Sequence, residues 1–222
     1  MPVITITRQF GAGGETVGEL VATHLRAEFV DRKIFSEVAR RLQLSEEEVE
    51  EHEEAAGSFL NRVLRALGSA SVEFAAPPEA AAWSPPFSEV APDTRKAVLE
   101  ISQQVIREAA ATGNAVIVGR GAGFVLRDHA ELLNVLVIAS FEYRTAHVRQ
   151  TRSMSIDDAR HLVKQVDANR LAYVKQLFGA DALNPSHYHL VLNTGRLGFA
   201  IAADTIIAAA RGLTGQSPPA AL

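Results

Sequence analysis

Short continuous apolar runs alternate along this chain with stretches where apolar residues recur every three or four positions. Residues 3–7 form a β-branched run that ends at the cluster Gly11-Ala12-Gly13-Gly14, the pattern of a buried strand. Beyond Glu15 the spacing becomes helical, with Val17, Leu20, Val21 and Leu25 on one face. Residues 28–30 read as a second strand, ending at Asp31. Strand, glycine loop, helix and strand make a βαβ unit, which builds parallel sheets covered by helices.

Residues 34–42 read as a helix, and Ser45-Glu46-Glu47-Glu48 is a capping box that opens another. Its acidic run, 46–54, reads as a solvated face with Val49 turned inward. Segment 68–92 holds Pro77-Pro78, Pro85-Pro86 and Pro92 amid Ala and Ser, so no regular element is expected to cross it. It reads as a mobile loop over a site or a disordered insertion, with Trp83 and Phe87 packed on the domain. A helix resumes at Asp93 with Val98, Ile101, Val105 and Ile106 as its apolar stripe, closing at Gly113. Strands follow at 115–118 and 132–139, both continuously apolar as central parallel strands are. Helices are expected over 142–152 and from the Ser155 cap to 178, then a strand at 188–192 and a closing helix over 197–211. The sum is one α/β domain over 1–212, an open, doubly wound, five-stranded parallel sheet, with a flexible tail over 213–222.

Composition narrows the function. Apolar residues are 47% and charged residues 22% of 222, so the chain can build a core and is not disordered throughout. The net charge of −4 argues against a nucleic acid or an anionic membrane as partner. Absence of cysteine excludes disulfide scaffolds, thiol nucleophiles and cysteine-bound zinc. No apolar run approaches the roughly 20 residues that span a bilayer. The start runs straight into the glycine loop with no basic-then-apolar leader, so a cytoplasmic protein is expected.

The glycine loop is the first candidate site. A loop between a strand and a helix start presents backbone N–H groups and the positive end of the helix dipole, which suits an anion. Two readings of it stay open. As a phosphate-binding loop, GxxxxGK[ST], segment 8–16 has the right place and length, but Arg8 replaces the first glycine and no lysine follows Gly13. As a dinucleotide fingerprint, Gly11 and Gly13 fit, Thr16 stands at the third glycine, and Asp31 is placed to hold a ribose. A glycine turn that only packs helix on strand is the bland alternative. Arginines further along favour phosphate chemistry. Arg120 sits between glycines at a strand end, Arg144, Arg149 and Arg152 follow the fourth strand, and Asp167 and Arg170 share a helix face with Lys164 one turn earlier. Phosphoryl transfer needs cations around the transferred group and little covalent chemistry from the protein. His187 and His189 alternate on a strand start, a weak two-histidine metal motif. Asn193 and Thr194 read as a cap of the last helix or an adenine contact.

These segments, taken in order, resemble the cytidylate kinase-like branch of the P-loop nucleoside monophosphate kinases. The resemblance rests on Ile4-Thr5-Ile6-Thr7-Arg8-Gln9-Phe10-Gly11-Ala12-Gly13-Gly14, Phe29-Val30-Asp31-Arg32, Val116-Ile117-Val118-Gly119-Arg120-Gly121, Asp167-Ala168-Asn169-Arg170 and the run 188–194. It implies a P-loop kinase fold with a helical acceptor-binding insertion over about 34–112 and a lid over about 144–184. It implies ATP and Mg²⁺, with Gly11, Ala12, Gly13, Gly14, Glu15 and Thr16 at the triphosphate and Thr16 near the metal. Asp31, Arg32, Arg120, Asp167 and Arg170 would bind the acceptor, a nucleotide such as CMP or dCMP. Arg8, Arg120, Arg144, Arg152 and Arg170 would act on the phosphates. Two departures stand out: true cytidylate kinases carry a lysine where Gly14 stands, and Gly121 replaces the family's aspartate used in reading the base. Arg8 or Arg32 is expected to take the lysine's place. Loss of that lysine also opens the alternative of an ATP-binding sensor without turnover. A homodimer is left open.

Overall fold

Strand β1 (Val3–Arg8) is the middle of the sheet because both of its faces are apolar and both of its edges are paired. In the computed structural model, which describes residues 2–31, 33–43 and 92–213, five parallel strands run in the order β2-β3-β1-β4-β5. The others are β2 (Glu28–Val30), β3 (Ala115–Val118), β4 (Leu132–Ile138) and β5 (Leu190–Asn193). Ile4 pairs with Val116 on one side and Leu133 on the other. Helices α1 (Gly14–Leu25) and α7 (Thr194–Leu213) cover one face, burying Val17, Val21, Ala202 and Ile206 against Ile4 and Ile6. Helices α2 (Lys33–Leu42) and α3 (Pro92–Ala111) cover the other, with Ile34, Val38, Val98 and Ile106 against Val3 and Ile117. Each such fully buried Ile or Val stabilises the fold by roughly 1.5–3 kcal/mol. The expected doubly wound parallel sheet is the observed one.

A short helix α4 (Ala122–Val125) follows β3 and was not signalled by the sequence. After β4 come α5 (Phe141–Arg152) and α6 (Ile156–Phe178), a pair capped as the sequence requires. Ser140 Oγ accepts from Tyr143 N, and Ser155 Oγ accepts from Asp158 N.

Several local expectations are corrected. Leu20 is 43% exposed, because α1 lies so close to the sheet that Gly18 faces it instead. A Cβ at Gly18 would stand 2.8 Å from Val118 and 3.0 Å from Phe29. The last strand starts at Leu190, two residues late, because Pro185 opens a 3₁₀ turn over Pro185–His187. His189 Nδ1 accepts from the Asn134 N–H and the His187 ring packs edge-on to Phe124, so both histidines serve the fold. Among the described residues no group of three or more His, Cys, Asp or Glu side chains is placed to hold a metal ion. Thr194 does not cap α7 through its side chain; its hydroxyl donates to the Ala12 carbonyl at 2.7 Å. Helix α7 opens at Thr194, three residues before the expected start, and breaks at Gly198. Arg32, the Ser45 helix with its acidic run, segment 68–91 with Trp83 and Phe87, and residues 214–222 lie outside the described residues. No helix among the described residues is long and apolar enough to cross a membrane.

Candidate functional site

All strands end on one edge of the sheet, and Arg8, Asp31 and Gly119-Arg120-Gly121 converge there. From Arg8 the chain turns through residues 9–13 into α1. Gly13 is the N-cap, at φ 73°, and supplies no side chain to the first-turn N–H groups. Those donors and the helix dipole face the loop, a ready anion site. Gly11 must also be glycine: it has φ 79°, and a Cβ would come within 2.8 Å of the Arg144 carbonyl and of Val148. The loop is tied down from three directions. Gln9 Oε1 accepts from Ala139 N, Thr194 holds Ala12, and Phe10 is gripped at both backbone groups. Its N–H donates to Asp167 Oδ1 at 2.8 Å and its carbonyl accepts from Arg144 Nη1 at 3.0 Å.

The expected arginines separate into two kinds. Arg144 is buried and spends its donors on protein: Asp167 Oδ2 at 2.5 Å, Phe10 O, and Ala139 O through Nε. It positions the loop, and lines neither cavity of this edge. Arg8, Arg152 and Arg170 line both cavities of this edge, and Arg120 lines the larger one. Arg170 Nη1 donates to Arg8 O at 3.2 Å, and Arg152 and Arg170 stand 5.3 and 5.5 Å from the Phe10 ring centre. Arg120 holds φ 56° between Gly119 and Gly121, which are also left-handed, a run that turns the chain sharply at the end of β3. Arg149 and Lys164 are exposed away from both cavities.

Burial, reinforced by neighbouring Arg8, pushes Arg170 down to about 9. Burial also lowers Arg8, against the opposing pull of Asp31 and Glu15. The Glu15 carboxyl is raised, first by burial, then by the charge of Asp31 and a hydrogen bond with it. Arg8 and Arg170 held close together carry a mutual repulsion that a polyphosphate would relieve, while the Glu15 carboxylate beside them works against an anion.

Two cavities meet at this edge. The larger, about 440 Å³, is walled by Asp31, Arg120, Asp167, Asn169 and Tyr173 among others. The smaller, about 200 Å³, lies over Gly11, Gly13, Gly14 and Thr16. Arg8, Glu15, Phe10, Arg152 and Arg170 line both and stand where they meet. Tyr173 and Phe10 were not foreseen; Tyr173 had a signal, being three residues beyond Arg170 on the same helix face.

The model of the cytidylate kinase-like family matches residues 3–196. The chain belongs to the cytidylate kinase-like family. A cytidylate kinase of Methanopyrus kandleri is 32% identical over 118 residues, half of this chain and 61% of that protein. A cytidylate kinase of Ignicoccus hospitalis is 23% identical over 206 residues, 93% of this chain and 97% of that one. Among solved structures, an uncharacterized protein from Eubacterium ventriosum superposes with a TM-score of 0.65 at 17% identity, covering 97% of this chain and all of the other. Shikimate kinase from Acinetobacter baumannii, solved with shikimate, gives 0.51 at 12% identity, covering 97% and 96%. These likenesses establish the P-loop kinase fold.

That fold removes the dinucleotide reading. A dinucleotide site of that type sets β2 beside β1 so that its acidic residue reaches the ribose. Here β3 lies between them, and Asp31 faces Arg8 at 3.8 Å. Set on the phosphate-loop motif, this chain has Gly14 at the lysine position and Glu15 where the motif sets a hydroxyl. Thr16 is exposed on the smaller cavity's wall one residue further on. The uncapped amides and the cation wall fit a triphosphate. The Thr16 hydroxyl fits Mg²⁺, which takes few protein ligands and completes its shell with phosphates and water.

Proposed function

We propose that this protein transfers the γ-phosphate of ATP to a nucleoside monophosphate of the cytidylate class, CMP or dCMP, with Mg²⁺. One observation carries the reading: the loop cavity and the larger cavity share a wall of Arg8, Arg152 and Arg170. A donor phosphate on the α1 amides and an acceptor phosphate near Arg120 would then meet at three cations. In this reading an acceptor phosphate oxygen forms the new bond to the γ-phosphorus while the bond to the ADP oxygen breaks. Charge on the three transferred oxygens is met by Arg8, Arg152 and Arg170 at the shared wall. Bound Mg²⁺ would neutralise donor phosphate oxygens, with Thr16 as its protein contact. Arg120, Asp31 and the Asp167–Arg170 turn would orient the acceptor, with Arg32 as a further acceptor contact. Segment 34–112 would supply the acceptor-binding insertion, and 144–184 the lid that limits hydrolysis by water.

A coupled ADP-release assay against CMP, dCMP, UMP, AMP and GMP tests this. Release that depends on CMP or dCMP and is lost in Arg120→Ala supports the reading. Preference for another monophosphate replaces the acceptor assignment. Gly14, standing where the motif has lysine, favours a second reading, an ATP-binding sensor. Tight ATP binding with no acceptor-dependent release would select it.

A further inference from the structure

Arg8 closes β1 and Gly14 opens α1, with residues 9–13 between them. In space they touch. A Cβ at Gly14 would lie 2.5 Å from Arg8 Cβ, 2.9 Å from its Cγ and 3.6 Å from its Cδ. The aliphatic stem of Arg8 therefore runs through the volume that any side chain at position 14 would need. Further out, the guanidinium passes over Gly119, where an added Cβ would strike it, and stands 3.8 Å from Asp31 Oδ1. Gly14 and Gly119, far apart in the sequence, flank a channel that holds one long cationic side chain.

In the motif GxxxxGK[ST] the lysine after the last glycine reaches the β- and γ-phosphates. Here the motif's first glycine position carries Arg8 and its lysine position carries Gly14. We infer that Arg8 and Gly14 are an exchanged pair: Arg8 delivers from β1 the charge that the loop otherwise carries on α1, and Gly14 is bare to admit it. The inference rests on the phosphate-transfer reading and names the residue that makes the loop competent for it. Arg8 lines both cavities, so its planar fork sits where a donor and an acceptor phosphate would approach each other. Gly14 abuts the stem and Gly119 the guanidinium, so the side chain is already confined and little of its entropy is lost on binding.

Mg·ATP and inorganic tripolyphosphate are the probes, read by calorimetry alongside thermal melting and ADP release. Arg8→Met keeps the stem and should melt close to wild type while binding both probes about ten- to hundredfold more weakly, the loss of a charge-assisted contact. Gly14→Lys alone should lower the melting temperature and gain no affinity, because the channel is filled. Arg8→Gly with Gly14→Lys together should recover most of the affinity lost in Arg8→Gly. Undiminished affinity in Arg8→Met, or a Gly14→Lys variant that binds more tightly at unchanged melting temperature, overturns the exchange. A double variant that folds and binds no better than Arg8→Gly does the same. Arg8-dependent tripolyphosphate binding without acceptor-dependent ADP release would sink the kinase reading and leave the pair standing. Transfer activity indifferent to Arg8 would do the reverse, and a wild type that binds neither probe ends both.

Discussion

Arg144 and Asp167 form a buried ion pair, 2.5 Å between Nη1 and Oδ2, and together hold the two backbone groups of Phe10. One residue comes from α5, the other from α6, and the peptide they grip lies in the glycine loop. The loop's shape is thus set by the helices beside it as well as by its own glycines.

Breaking this pair from the Asp167 side should be the more damaging change. Asp167→Ala leaves the Arg144 guanidinium almost enclosed, at 6% side-chain exposure, without its counter-charge. The expected loss is about 3–5 kcal/mol of stability in urea unfolding. Arg144→Met leaves a carboxylate that is 20% exposed and still accepts from Phe10 N, so it should cost less. The reverse order would contradict the assignment of Arg144 as the desolvated partner.

Arg120 allows its side chain to be tested apart from its backbone. It sits at φ 56°, where an L-residue is disfavoured, so Arg120→Gly keeps the turn and should not lower the melting temperature. If the side chain binds the acceptor, kcat/KM for the acceptor falls about 100-fold, as when one positioned donor is removed, while ATP affinity is little changed. Equal losses for donor and acceptor would place Arg120 elsewhere in the cycle.

Alkaline pH should weaken polyphosphate binding through Arg170. Its pKa is about 9, below the usual arginine value because of burial and Arg8, so the guanidinium is charged below that pH and neutral above it. Affinity should be flat at neutral pH and fall about tenfold per pH unit above the break. The sign for the unliganded fold is opposite: the charged form is penalised, so this contribution to stability improves as pH rises through 9. Arg170→Met should bind weakly and show no break. A break of the same size in that variant would assign it to another group.

Glu15 should oppose ligand binding. Its carboxyl is raised by burial and by Asp31, so the folded state disfavours its ionised form. The penalty is absent while Glu15 is protonated in both states and appears as pH rises from its ordinary value of 4.5 through the raised folded value. Glu15→Gln should therefore melt higher at pH 7 and no differently at acid pH. Mg·ATP should bind it about fivefold tighter, since a like charge near the phosphates is removed. Weaker binding would instead make Glu15 a helper of the bound cation.

Parallel strands were legible because central ones are apolar on both faces; 3–7, 115–118 and 132–139 needed nothing beyond their own residues. The Ser155 cap and the glycine loop were local in the same sense, since a cap or a positive φ is decided within a few residues. The two helical arginines Arg144 and Arg152 look alike in sequence. One is buried and the other is exposed over Phe10 only because α5 presents them to different neighbours. Leu20 follows the apolar spacing yet is exposed, because the approach of α1 to the sheet is governed by Gly18.

The amino-acid pattern by itself determined a five-stranded α/β sheet with an anion-ready loop at one edge, because periodicity and glycine conformation act over short range. Only the tertiary structure decided which cations reach that edge, because a side chain's direction depends on packing partners far away in the chain. Arg8 beside Gly14 and Gly119, and Arg144 withdrawn to Asp167, are both of that kind.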